Sequence, residues 1–383
     1  MAKLNVNIGL SVNDKTGDTL RSAFDKINQN FTELYAKPDY TSFNVNGMDI
    51  QIAVYSPSGK VTAESITPEM KKMMTAQKTF LGNINSTKKY TVLLYLSSMK
   101  PDDAKGFGAL EHPTATTVVL PEMMPLDELQ KSMIDVVSHE FFHIVTPLTI
   151  HSKEIQPFNF TNPEMSKHLW LYEGITEYFA GISQLKGGVI DKEEYIQSLL
   201  RGKIRAADRY PTAKMSFTEM SENVLKNPYK KQYGQVYQRG ALMGALLDIR
   251  IMELTGGEKD LHDIILALRD VYGPNKSFKD PQIIAEFVAL VHPDLQEFFD
   301  DYVTGRNELP TKEYLNKVGI DYDRRYAGPV VVDPLRDNGY KTRGIRSTDY
   351  LEIKNTSKEN PYELEKGDRV QRYADELETA YLQ

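Results

Sequence analysis

His139 and His143 stand four residues apart in the string Ser138-His139-Glu140-Phe141-Phe142-His143. In an α-helix, residues i and i+4 lie one above the other on the same face, so two imidazoles at this spacing can meet one cation. Glu140 sits beside the first of them, near enough to address a water held by that cation. H-E-x-x-H is therefore the pattern of a zinc site built for hydrolysis. A catalytic zinc takes three protein ligands and keeps a fourth position open. The third ligand is expected on a second helix. Trp170-Leu171-Tyr172-Glu173-Gly174-Ile175-Thr176-Glu177-Tyr178-Phe179 supplies one, with residues 144–172, 29 in all, between His143 and Glu173. Glu173 interrupts an apolar run, an expensive place for a carboxylate that neither pairs nor ligates. Glu177 lies one turn further along the same face and is read as a supporting or surface carboxylate.

Composition narrows the chemistry. The chain has 383 residues and no cysteine, which excludes disulfides, a thiolate nucleophile and sulfur-ligated zinc and leaves nitrogen and oxygen as donors. Forty-six Lys and Arg against 53 Asp and Glu give a net charge of −7, whereas nucleic acid or an anionic membrane calls for a concentrated basic face. No apolar run is long enough to span a bilayer. The first residues lack the apolar stretch of a signal peptide, so the expectation is a cytoplasmic or virion-associated chain of unassigned compartment. There is no G-x-S-x-G elbow, P-loop or G-x-G-x-x-G.

The elements that must position these residues are legible in outline. Ser42–Tyr55 alternates apolar and polar residues about an Asn46-Gly47 turn signal. Tyr90–Leu96 and Thr114–Leu120 read as strands, and Pro68–Phe80 as a helix between them. A helical pattern runs from about Leu126 to Val145 and carries the two histidines. From Pro125 to about Asn316 the periodicity stays helical, punctuated at Pro147, Gly187-Gly188, Gly256-Gly257 and Gly273-Pro274. Strands followed by helices predict an α+β fold, a small β-sheet followed by a helical subdomain. Val330–Val332 and Tyr350–Ile353 are weak strand candidates in a polar C-terminal stretch.

Residues 41–320 resemble the glycyl aminopeptidase family of gluzincin zinc metallopeptidases, whose members often carry a PDZ domain. The resemblance rests on the H-E-F-F-H helix, the 29-residue gap, L-W-L-Y-E-G-I-T-E-Y, Val236-Tyr237-Gln238-Arg239-Gly240-Ala241-Leu242, and Phe298-Phe299-Asp300-Asp301-Tyr302-Val303-Thr304-Gly305. It implies a thermolysin-like catalytic domain holding one Zn²⁺ on His139, His143 and Glu173, with Glu140 as the base. It further implies that Tyr237 donates its hydroxyl to the developing oxyanion, with Tyr233, four residues earlier, as internal competitor. Gly108-Ala109-Leu110-Glu111-His112 looks like the glutamate-bearing motif of gluzincin aminopeptidases. On that likeness Glu111 holds a substrate's α-ammonium and the adjoining edge strand, Thr114–Leu120, aligns the peptide backbone; His112, next to Glu111 in sequence, is expected to orient it.

The implied activity is removal of small N-terminal residues such as Gly or Ala from peptides. A zinc endopeptidase, and a non-catalytic virion-associated protein with a structural zinc, are the alternatives. His151 and His168 are expected to face solvent or support the ligands, and His262 and His292 to lie in ordinary helices without a role. Residues 1–36, with Leu20, Phe24, Ile27, Phe31 and Leu34 at heptad-like spacing, resemble a short module of tailed-phage structural proteins and suggest homo-oligomerisation or docking. Residues 321–383 read as a reduced PDZ-like or irregular segment, with Glu363–Val370 similar to one PDZ strand.

Overall fold

The computed structural model describes residues 39–82, 87–101, 103–156 and 163–322, together with short strands beyond them. The leader helix expected over residues 1–36 and most of the PDZ-like stretch 363–370 lie outside the described residues. The chain divides into two compact units. One is drawn from residues up to Thr75 and from Thr87–Phe141, the other from Ala76–Ser86 and from Phe142 onward.

The first unit is built on a five-stranded mixed sheet. Strands β1 (Asp39–Val45) and β2 (Met48–Tyr55) form an antiparallel hairpin closed by Asn46 and Gly47 at φ 48° and 82°. Both central residues need positive φ in this turn, which is why Asn-Gly marks it. Helix α1 (Ala63–Leu81) then returns the chain so that β3 (Lys89–Ser97) lies parallel to β2. Strand β5 (Ala115–Pro121) is parallel to β3, and β4 (Gly108–His112) pairs antiparallel to β5, giving the order β1-β2-β3-β5-β4.

This order corrects one expectation. The strand after Glu111 is interior, and the edge strand is the one that bears Glu111 itself. Alternate residues of β3 (Tyr90, Val92, Leu94, Leu96) are buried, as the period-2 pattern requires. Helix α2 (Leu126–Phe142) buries Leu129, Met133, Val137 and Phe141, a stripe at four-residue spacing in which each is 0% exposed. That stripe fixes the rotation of α2 about its axis.

The second unit is helical. A π-helical turn, Trp170–Ile175, continues directly into α3 (Thr176–Lys186). Lys192–Glu194 and a second π-turn, Tyr195–Leu200, lead into α4 (Arg201–Ala207), followed by α5 (Phe217–Asn223) and the long α6 (Gln235–Leu254). Then come α7 (Leu261–Val271), α8 (Ile283–Leu290), α9 (Leu295–Phe298), which runs on as a π-turn to Val303, and α10 (Thr311–Lys317). Side-chain caps start α5 and α7, where Ser216 with Glu219 and Asp260 with Asp263 form reciprocal capping boxes.

Helix α6 is buried along most of its length, and its glycines explain how closely it is approached. A Cβ on Gly174 would sit 2.7 Å from Gly240 backbone atoms, and one on Gly240 would sit 2.7 Å from the Gly174 Cα. The π-turn and α6 therefore touch backbone to backbone. Gly240→Ala is expected to cost about 1–3 kcal/mol as an overpacked contact, read as a lower unfolding temperature with an unchanged helix signal in circular dichroism.

Beyond Val318 the described residues form two small sheets. Strands β6 (Ile320–Asp321) and β7 (Val330–Val331) pair antiparallel, and β8 (Lys341–Gly344), β9 (Tyr350–Asn355) and β10 (Arg369–Gln371) pair in the order β10-β9-β8. The strand candidates at 330 and 350 are thus strands. No helix among the described residues is long and apolar enough to cross a membrane.

Candidate metal centre

His139 and Glu140 lie in the last turn of α2, and His143 follows its final residue, so the H-E-x-x-H string sits where the helix ends. One ligand atom from each of His139, Glu140 and His143 falls within 4.8 Å of the others. All three are buried, at 7%, 8% and 3% exposure. Buried groups of this kind are normally paired or hold a metal.

His143 is oriented by its other nitrogen. Its Nδ1 is 2.9 Å from the Thr146 carbonyl oxygen, which can only accept, so Nδ1 carries the proton. Nε2 is then the lone-pair nitrogen, as a metal-ligating histidine requires. That Nε2 lies 3.6 Å from Glu173 Oε2. Two atoms each about 2.0–2.1 Å from one tetrahedral ion are separated by about 3.4 Å. The donor chemistry (two imidazoles and a carboxylate, none of them sulfur) suits zinc. His139, His143 and Glu173 are the residues that would hold it.

Glu173 is carried by the π-turn, in which the usual helical ladder is interrupted; such turns are frequent at functional sites. The run-in to it is tied down. His168 is 2% exposed, which excludes the solvent-facing one of its two expected placements. Its Nε2 is 2.7 Å from the Asp280 carbonyl oxygen, and its Nδ1 accepts from Trp170 Nε1–H at 3.0 Å. One tautomer satisfies both contacts, and burial holds the imidazole below its ordinary pKa. The Asp280 carboxylate accepts from Ser166 Oγ and the Lys167 amide, both at 2.8 Å. His151 is likewise buried.

Glu177 forms an ion pair with Lys203. Tyr178 donates to Asp248 at 2.5 Å and so fastens α3 to α6. Burial, then the nearby Asp260 charge, pushes the Asp248 carboxyl up to about 6.

Tyr237 sits in the first turn of α6, half-buried, its hydroxyl 3.3 Å from that of Tyr233. Tyr233 lies just before the helix and is 46% exposed, so the two phenols occupy different surroundings. In the first unit Glu111 is half-buried on β4, whereas His112 is exposed. Tyr90, fully buried on β3, relates Glu111 to Glu140. Burial, followed by the charges of Glu140 and Glu111, pushes its phenol up. Both carboxylates therefore act on one buried ring, whose hydroxyl has no hydrogen-bond partner among the described residues.

Asp260, His262 and Asp263 form a second group with metal-like spacing. The two aspartates are the capping box of α7, which accounts for their proximity. His262 does lie in a helix, whereas His292 stands in the turn before α9 rather than within one.

Comparison with solved structures relates the fold. An aminopeptidase N family protein from Idiomarina loihiensis aligns with 82% of this chain and 56% of its own, at TM-score 0.63 and 20% identity. An M1 zinc metallopeptidase from Deinococcus radiodurans (71% and 53%, TM-score 0.43, 14% identity) and yeast LTA4 hydrolase in complex with Bestatin (73% and 41%, TM-score 0.49, 16% identity) are more distant. This chain thus spans a little over half of the Idiomarina protein. At 20% identity the likeness to the Idiomarina protein is one of fold.

The M61 glycyl aminopeptidase family model matches residues 132–243, the stretch that holds His139, Glu140, His143, Glu173 and Tyr237. No curated protein matches significantly.

Proposed function

We propose that this protein is a zinc-dependent aminopeptidase that hydrolyses the first peptide bond of substrates with a free, small N-terminal residue such as Gly or Ala. The observation that carries the reading is the donor set: His139, Glu140 and His143 clustered at the end of α2, with Glu173 3.6 Å from His143. The matching family is described as glycyl aminopeptidase, which supports the small first residue.

When bound, zinc supplies Lewis acidity and lowers the pKa of a coordinated water from 15.7 to about 7. Glu140, buried beside both histidines, takes the proton from the attacking water and returns it to the leaving amine. The imidazole of His143 is held with Nε2 forward by the Thr146 carbonyl and needs no reorientation to ligate. Tyr237 donates its hydroxyl hydrogen to the oxyanion of the tetrahedral intermediate. Glu111 holds the substrate's α-ammonium by a charge-assisted hydrogen bond, and the free side of the edge strand β4 offers backbone groups to the substrate.

Two results follow. Tyr237→Phe removes one oxyanion donor while keeping the ring. It is expected to lower kcat by about 10²–10³ with zinc content unchanged, and an unaltered kcat would remove Tyr237 from the reaction. Glu111→Ala should raise KM for free-amine substrates far more than for N-acetylated ones. Equal effects on both would make the enzyme an endopeptidase. The reading as a whole is tested by p-nitroaniline release from glycyl and alanyl anilides: cleavage is expected only with zinc and only when the amine is unblocked.

A further inference from the structure

Thr146 touches both sides of the ligand pair. Its carbonyl oxygen accepts from His143 Nδ1 at 2.9 Å, and its hydroxyl reaches the chain that bears Glu173. Thr146 Oγ1 lies 3.3 Å from the Leu171 carbonyl oxygen and 3.1 Å from Thr176 Oγ1. Thr176 Oγ1 is in turn 3.4 Å from the Thr146 carbonyl oxygen. Leu171 and Thr176 bracket Glu173, two residues before it and three after. Both threonines are buried, at 2% and 1% exposure.

Resting on the zinc-site reading above, we propose that Thr146 and Thr176 are positioning residues: a buried hydroxyl clasp that fixes the separation of His143 and Glu173 and so sets how tightly the metal is held. Two arrangements of the two hydroxyl protons satisfy the clasp. Either Thr176 donates to Thr146 Oγ1 while Thr146 donates to the Leu171 carbonyl, or Thr146 donates to Thr176 Oγ1 while Thr176 donates to the Thr146 carbonyl. Both tie the turn after α2 to the first residue of α3, and the first arrangement also ties it to the π-turn. In a π-turn i→i+5 bonds replace the α-helical i→i+4 ladder, and here a side chain from the other ligand's segment reaches one of its carbonyls. Zinc tolerates only a few tenths of an ångström in ligand placement, so the segment-to-segment link bears directly on affinity. The clasp also separates two jobs within one residue. The backbone of Thr146 sets the His143 tautomer, and its hydroxyl sets the distance to Glu173.

The test is zinc affinity, measured on the whole chain by competition with a chromophoric chelator, alongside the melting temperature of the zinc-free forms. Thr176→Val and Thr146→Val keep the side-chain shape and remove the hydroxyl. Each is expected to weaken zinc binding about 10–100-fold, the usual effect of losing an outer-shell partner. Thr176→Ser restores the hydroxyl without the methyl and should bind zinc within about threefold of wild type. Valine variants that bind zinc as wild type does would overturn the clasp alone. A serine variant as weak as valine would also overturn it, because methyl packing would then be the cause. A wild-type chain that takes up no zinc would instead sink the metal-site reading and the clasp with it.

Discussion

Glu140→Gln is expected to leave zinc bound and to lower kcat by about 10²–10⁴, the range that a positioned general base contributes. Gln keeps the size and the acceptor oxygen of Glu140 but cannot take a proton at neutral pH. The two histidines on either side of it are untouched, so affinity for zinc should stay near that of the wild type. KM should change little, because proton transfer belongs to the transition state rather than to substrate binding. The measurement is a steady-state profile on an alanyl anilide with metal content determined on the same sample. Full activity in the Gln variant would remove Glu140 from the chemistry. Loss of zinc together with activity would assign it to the metal instead.

Glu173→Ala should act on the metal first. It deletes one of the three proposed donors, the carboxylate whose oxygen stands 3.6 Å from His143 Nε2. Zinc affinity is expected to fall by more than the roughly 10–100-fold typical of outer-shell losses. The effect has a thermal readout. Zinc at 100 times its dissociation constant stabilises the folded state by about 2.7 kcal/mol, a gain that raises the melting temperature of the wild type. In the Ala variant the same zinc concentration should raise it little. An unchanged zinc-induced shift would show that Glu173 is not a ligand, and Glu177, paired with Lys203, would be the next residue to test.

Much of the site was legible because its chemistry is local. The H-E-x-x-H spacing specifies a helix, and the Leu129, Met133, Val137, Phe141 stripe specifies which face of it is covered. The Asn46-Gly47 turn follows from two positive φ angles that other residues resist. What stayed hidden depends on residues far apart in sequence. Strand β4 is five residues long, with glycine at one end and histidine at the other, and only its pairing with β5 reveals it as the edge. The placement of His168 stays open in the sequence until Asp280, 112 residues beyond it, accepts from it and from the Ser166-Lys167 stretch before it. The π-turn at Glu173 leaves no mark in the residue string, since its apolar period resembles that of any helix. Thr146 and Thr176 are equally silent, because a threonine pair 30 positions apart gains meaning only when the intervening chain folds back.

The most direct test is anomalous diffraction at the zinc edge from crystals of the zinc-loaded protein. One peak per chain is expected, about 2.0–2.2 Å from an imidazole nitrogen of His139, from His143 Nε2 and from a Glu173 carboxylate oxygen. A peak at Asp260, His262 and Asp263 instead, or one on the two histidines with Glu173 turned away, would contradict the account.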